Sequence, residues 1–429
     1  MAAVLRVRRA FAYDPRDMEA AASVTAHARL RQGRLLLWSL CIATFLVNIA
    51  AIAISPFLRD IASDLGVDLA AAGLLIALTS VTWGVTSLIA GSLSDRIGRR
   101  PVMMAGFLGL IAAPLGLAAT WSFATASAWR LVNGVGGGAY MGSVFAVVSD
   151  RFPSAERGRA MGWIVTGQSL SLVVGIPLVT FAGDFVGWRG ALAAQAIALL
   201  LAAMLVWLVV PAGARPKLVG AAAGPPVRTL LTPPVVALLA ASAAERFIYG
   251  GVASYTATFL RDSYEIPFGP LAVALAIVAS GNLLGSFVGG YLSDKLPSRQ
   301  LLASASLVGT AVLALPLLLW QPGLTISVLL GLVFTLANAL GRPAILAAIS
   351  DVSSEASGSL LGINITFSSV GWLTSSAIGG WLIAVYGFPA FGLVTSAVSL
   401  AGSGLAALAW WLGRRPWDRA PRHGVEVGT

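Results

Sequence analysis

Four ionisable side chains fall inside long apolar runs of this chain: Arg130, Glu245, Arg246 and Arg342. A charge at membrane depth is costly and persists where it faces a partner or a wet cavity, so chemistry is expected at these four. Glu245 is the single carboxylate among them. Burial raises the proton affinity of a carboxyl group and a nearby cation lowers it, so a glutamate beside Arg246 and a wet cavity suits proton exchange. Three readings stay open: Glu245 carries a coupled proton, it pairs with a cationic substrate, or it belongs to a fixed Glu–Arg pair that holds helices together. Adjacent helical residues point about 100° apart, so Glu245 and Arg246 need not pair with each other. Helical spacing groups Arg130 with Asn133, Glu245 and Arg246 with Tyr249, and Asn338 with Arg342. Asn48 is the polar candidate of the first apolar run, with Trp83, Gln168 and Tyr255 as lesser ones. Arg342 lies near the end of its run and can reach the interface. Three arginines against one glutamate leave excess positive charge, which favours an anionic or zwitterionic solute.

The elements that must hold these residues are membrane helices. Of 429 residues, 57% are hydrophobic and only 11% charged, against about a quarter charged in soluble domains. Apolar stretches recur at 35–58, 69–93, 101–120, 123–149, 160–183, 189–211, 233–260, 268–292, 300–320, 323–349, 358–385 and 389–413. Each is long enough to span a bilayer as a helix. The expected fold is therefore an all-α membrane protein with twelve transmembrane helices in two pseudo-symmetric six-helix bundles. The expected divisions are a tail at 1–34, a first bundle at 35–211, a linker at 212–232, a second bundle at 233–413 and a tail at 414–429. The net charge of +10 sits in short segments between apolar runs, which suits retention on the cytoplasmic side and not nucleic-acid binding. Arginine and lysine crowd alternate connections, while the others carry only Arg59, Arg189 and Arg261; this places both termini in the cytoplasm. The first 34 residues lack the apolar core of a signal peptide. Cys41 is the only cysteine, which excludes an intrachain disulfide, and the two histidines lie in the tails. Neither a metal-ligand spacing nor a catalytic nucleophile–base set is present. Gly134-Val135-Gly136-Gly137-Gly138 lies inside a span with no preceding strand, so it is no nucleotide loop.

The halves repeat at an offset near 200 residues. Gly91-Ser92-Leu93-Ser94-Asp95-Arg96 returns as Gly290-Tyr291-Leu292-Ser293-Asp294-Lys295, Ser149-Asp150 as Ser350-Asp351, and Gly187 as Gly387. Parallel halves with a midplane site between them are a transporter architecture. The run Gly91 to Pro101, with Gly91, Asp95, Arg96, Gly98, Arg99 and Arg100, resembles the signature of the major facilitator superfamily between its second and third helices. Chemically, Gly91 allows close helix approach and Asp95 can accept from free amides at a helix N-terminus. The resemblance implies that Asp95 and its neighbours latch the cytoplasmic side in the outward-open state. The second copy keeps Asp294 but has Pro297 and Ser298 where glycine and arginine are expected, which weakens it.

Two further stretches are similar to the twelve-helix drug:proton antiporter branch, which includes sugar and purine efflux permeases. Arg130 to Gly138 resembles the arginine–glycine motif linked to proton coupling. Gly167, Gly175-Ile176-Pro177 and Gly183, ahead of Gly187-Trp188-Arg189, resemble the exporters' glycine–proline motif, with Ile176 interrupting the usual pair. The resemblance implies that the first, fourth, seventh and tenth helices line a central cavity. Coupling is then expected at Glu245 and Arg130, and substrate binding at Arg246, Tyr249, Asn48, Asn133, Asn338 and Arg342. The expected function is proton-coupled efflux of a small organic molecule by a monomer in a cell inner membrane, with protons and lipid as its other partners and no cofactor. The alternatives are an uptake permease or facilitator for an organic anion, and a non-transporting receptor or assembly factor.

Overall fold

The computed structural model describes residues 15–152, 154–211, 231–352 and 357–413. Residues 212–230 of the expected linker, 1–14 of the first expected tail and 414–429 of the second lie outside the described residues, whereas 15–34, expected as tail, belong to the first helix. The described chain is helical throughout: α1 (Pro15–Ile52), α2 (Leu58–Leu65), α3 (Leu69–Ile97), α4 (Arg99–Ala118), α5 (Phe123–Arg151), α6 (Ser154–Leu170), α7 (Ile176–Val209), α8 (Pro233–Tyr264), α9 (Phe268–Lys295), α10 (Arg299–Leu315), α11 (Leu324–Ser350) and α12 (Ser357–Leu412). Short π-helical turns at Ser171–Gly175 and Pro316–Trp320 carry the chain from α6 into α7 and finish α10.

Ten stretches among the described residues are long and apolar enough to cross a membrane. Two of them, Ala160–Val209 and Ile363–Leu412, have 50 residues each. A straight helix of that length would run about 75 Å, more than twice the hydrocarbon thickness of about 30 Å. Neither is straight. The backbone turns out of helical geometry at Gly187 (φ 66°, ψ 176°) and at Gly387 (φ 78°, ψ 180°). A positive φ with extended ψ is essentially reserved for glycine, which explains why glycine stands at both repeat positions. Alanine at Gly187 or Gly387 is expected to cost about 1–3 kcal/mol. Alanine at Gly404, an open position on α12 without positive φ, is expected to stabilise by about 0.5–1 kcal/mol. Thermal denaturation in detergent reads both.

Small residues set the packing. In α5, a Cβ on Gly134, Gly137 or Gly138 would run into the backbone or side chains of Thr82, Trp83 and Thr86 on α3, and one on Gly136 would meet Gly106 and Leu110 of α4. The glycines of the first half therefore serve close helix approach, as in membrane bundles generally. The halves meet along α3 and α12: Gly73 packs on the Tyr255 hydroxyl, the Ser376 carbonyl and Gly380.

Candidate functional site

α1 stops at Ile52 because Pro56 follows: proline offers no N–H to the preceding turn and disfavours helical geometry just before it. The last carbonyls of a helix have no partner within it. Arg130, on α5 and only 2% exposed, supplies that partner. Its Nη2 donates to the Ala51 carbonyl at 2.6 Å, its Nη1 to Ala50 at 3.3 Å, and its Nε to the Leu75 carbonyl of α3 at 2.9 Å. Thr79 returns a bond from its hydroxyl to the Arg130 carbonyl at 2.9 Å. The guanidinium thus ties α1, α3 and α5 together, and its charge lies against the negative end of the α1 dipole. No carboxylate pairs with it among the described residues.

The second half shows the same position without the charge. At the offset of 201 residues set by Ser149-Asp150 and Ser350-Asp351, Gly331 stands where Arg130 does, and the nearby Thr335 of α11 donates to the Val278 carbonyl at 2.5 Å. α8 has no break at the position matching Ile52, so no freed carbonyls require a guanidinium.

Glu245 and Arg246, 2% and 5% exposed, do pair with each other. Arg246 Nε donates to Glu245 Oε2 at 2.6 Å and Nη2 to Oε1, forming a two-bonded fork. The 100° offset is overcome because the arginine side chain is long enough to fold back and a bare buried charge is far more costly than the bend. The Arg246 guanidinium also lies 4.2 Å from the centre of the Tyr249 ring, and that ring meets Trp372 of α12 edge-on at 5.3 Å. Glu245 and Arg246, both buried, and the half-buried Tyr249 and Trp372 therefore form one polar-aromatic cluster between α8 and α12.

The other expected binding residues are scattered. Asn48 is half-buried and donates to the Thr44 carbonyl at 2.9 Å. Asn133 and Asn338 are buried, each with one amide atom lacking a partner: Oδ1 of Asn133 and Nδ2 of Asn338. Arg342 is half-buried and enters no ion pair among the described residues.

At the end of the bundle that carries residues 98 and 297, each half holds one arginine cluster. Arg99 is 7% exposed. It binds Asp95, Asp150 (2.9 Å), the Ser94 hydroxyl (2.7 Å) and the Gly91 carbonyl (3.3 Å). Arg299 repeats this wiring with Asp294 (3.9 Å), Asp351 and the Ser293 carbonyl (3.3 Å). The second copy thus keeps its arginine despite Pro297 and Ser298, because Arg299 lies at the start of α10 as Arg99 does at the start of α4. Asp95 accepts from Arg99 of its own half. Gly98 is required by its backbone, at φ 102°. Gly91 is not the residue of closest approach: a Cβ there would lie 3.8 Å from the Gly142 carbonyl, an ordinary contact. Gly142 fills that role, since its Cβ would come 2.5 Å from the Ser87 carbonyl. Arg96 is exposed, and Arg100 stacks over Trp207 at 3.6 Å, away from the cluster.

At the opposite end, two ion pairs join the halves: Arg59 with Asp262, and Arg261 with Asp60 at 2.5 Å. Neither pair is among the contacts expected from the sequence. The signal was present: Phe57-Leu58-Arg59-Asp60 recurs as Phe259-Leu260-Arg261-Asp262, but these charges were counted only for orientation.

Two helical halves, matching charged clusters at one end, cross-half ion pairs at the other and a buried ion pair within one apolar helix define a multi-pass membrane transporter. The family model of the Major Facilitator Superfamily matches residues 40–340 and 271–428, and the chain belongs to that family. A chloramphenicol resistance protein of Streptomyces lividans is 27% identical over 290 residues, covering 67% of this chain and 74% of the relative. The quinolone resistance protein NorA of Staphylococcus aureus is 24% identical over 351 residues, covering 80% and 88%. A bacterial homologue of the human lysosomal transporter Spinster shares the fold at TM-score 0.75 with 16% identity, covering 90% of this chain and 98% of that one. The chain is a transporter and not an enzyme.

Proposed function

We propose that this transporter exports a small organic molecule in exchange for protons, by alternating access, as a monomer in a bacterial inner membrane. The observation that carries this reading is Glu245: among the described residues it is the only carboxylate in the buried set, and it sits with a cation and two aromatic rings between α8 and α12. When Glu245 takes up a proton, the ion pair loses its Coulomb attraction and Arg246 is freed for a solute or for Tyr249. Arg130 enters coupling by holding α1, whose broken end must move when the halves rock. The two relatives that confer drug resistance support efflux.

The breaks at Gly187 and Gly387 divide the two 50-residue stretches into two spans each, giving twelve in all. The divisions at 35–211 and 233–413 then give six per half, joined by the segment 212–232. The arginine clusters and both termini face the cytoplasm by the asymmetry of basic residues. Asp95 and Asp294, with Gly91, Arg96, Gly98, Arg99 and Arg100, belong to the inner gate. Arg246, Tyr249, Asn48, Asn133, Asn338 and Arg342 serve substrate binding. Arg130 is occupied by carbonyls and Arg246 by Glu245, so a preference for an anionic or zwitterionic solute rests on Arg342.

The test is transport into proteoliposomes under an imposed pH gradient, with chloramphenicol and a fluoroquinolone as first solutes. The expected result is accumulation on the acidic side that a protonophore collapses. Solute movement that ignores the gradient, or runs in the same direction as the protons, contradicts the exchange.

A further inference from the structure

Among the described residues, the polar contacts between the halves gather at the outer end, in the duplicated Phe-Leu-Arg-Asp segments. The geometry is reciprocal: the arginine of each copy binds the aspartate of the other, Arg59 to Asp262 and Arg261 to Asp60. This is the self-complementary arrangement of a two-fold interface, realised here within one chain. The phenylalanines reinforce it, since Phe57 of the first copy meets Phe268 of the second half at 5.4 Å between ring centres. Arg261 lies over that same Phe268 ring at 4.4 Å and donates to the Pro56 carbonyl at 3.4 Å.

Each copy is firmly mounted. α2 carries Arg59 and Asp60 and is fixed to the first half by Asp64, which accepts from Trp188 Nε1 at 2.9 Å and from Arg189. Arg261 and Asp262 lie on α8, the helix that also carries Glu245 and Arg246. Among the described residues the cytoplasmic end shows no such bridge: Arg99 and Arg299 bind aspartates of their own halves. At the outer end, Gly73 of α3 is also packed against Gly380 of α12.

We infer that the two Phe-Leu-Arg-Asp segments form an outer latch, whose reciprocal ion pairs hold the transporter in its inward-open state and break together when the outer face opens. The inference rests on the alternating-access reading and the orientation proposed above. Because α8 bears both the latch and the Glu245–Arg246 pair, one helix connects the outer closure with the proposed proton site. Neutralising both arginines removes both pairs at once, and exposed pairs each carry a modest free energy. The ratio of outward-open to inward-open molecules is then expected to rise about tenfold.

The experiment measures the distance between spin labels at W121C and W320C, exposed outer-end positions of the two halves, in a C41S background. Without solute, the parent protein should show a single dominant shorter distance. R59Q/R261Q should shift the population towards a longer one. The charge-exchanged variant R59D/D60R/R261D/D262R recreates both pairs with reversed polarity and should restore the shorter distance. An unchanged distribution in R59Q/R261Q overturns the latch. So does a charge-exchanged variant that stays open, because pairing and not the individual side chains is what the latch requires. The readout needs no transported solute, so failure of the efflux reading would appear in the proteoliposome assay and leave this result standing.

Discussion

Replacing Arg130 with methionine is expected to destabilise the protein by about 3 kcal/mol and to abolish transport, because it leaves the carbonyls of Ala50 and Ala51 buried without donors. An unsatisfied buried polar group costs about 1–3 kcal/mol, and two are exposed to that penalty here. The Leu75 carbonyl suffers less, since it also lies within the helical ladder of α3. Lysine at Arg130 should recover only part of the loss, because one ammonium cannot reproduce a planar fork that reaches three carbonyls. Thr335→Val supplies the contrast. It removes a single neutral bond to Val278, so about 1 kcal/mol is expected. Denaturation of the three variants in detergent, with and without solute, separates these outcomes. Methionine and valine variants of equal stability would contradict the role assigned to the guanidinium.

The second large effect is expected at the Glu245–Arg246 pair. Glu245→Gln leaves Arg246 buried without its counter-charge, and Arg246→Met leaves Glu245 in the same position. Breaking a buried pair from one side costs about 3–5 kcal/mol, whereas removing both charges is often close to neutral. The double variant E245Q/R246M should therefore be more stable than either single variant, with a coupling of a few kcal/mol in a double-mutant cycle. Transport should follow a different order. Both E245Q and the stable double variant should lose the dependence of solute movement on the pH gradient. A double variant that is stable and still driven by protons would move the proton site away from Glu245.

The all-helical, membrane-spanning character was legible because apolar run length and glycine–proline punctuation are local. The breaks between 183 and 189 and between 385 and 389 fall where Gly187 and Gly387 adopt positive φ. The charge clusters around Arg99 and Arg299 were half legible. The repeats of Asp95 with Asp294 and of Asp150 with Asp351 could be read from the sequence. That Arg99 and Arg299 each bridge two of these aspartates depends on where the start of one helix meets the ends of others, which no local pattern encodes. Arg130 was visible as a buried charge, yet its carbonyl partners follow from the break before Pro56, more than 70 positions away. Glu245 and Arg246 were visible as neighbours, but their pairing depends on what surrounds them in the bundle. The Arg59–Asp262 and Arg261–Asp60 pairs were hidden because reciprocity is a property of two segments brought together by the fold, while each segment read alone is an ordinary charged helix end.

Proton movement triggered by solute tests the central claim most directly. Purified protein in proteoliposomes with an acidic lumen and a trapped pH-sensitive dye is given an external pulse of transported solute. Exchange predicts that the lumen becomes less acidic as solute enters, and that E245Q/R246M, folded and stable, gives no such change. A solute that enters without proton release, or a double variant that releases protons as the parent does, would contradict the assignment of Glu245 as the coupling carboxylate.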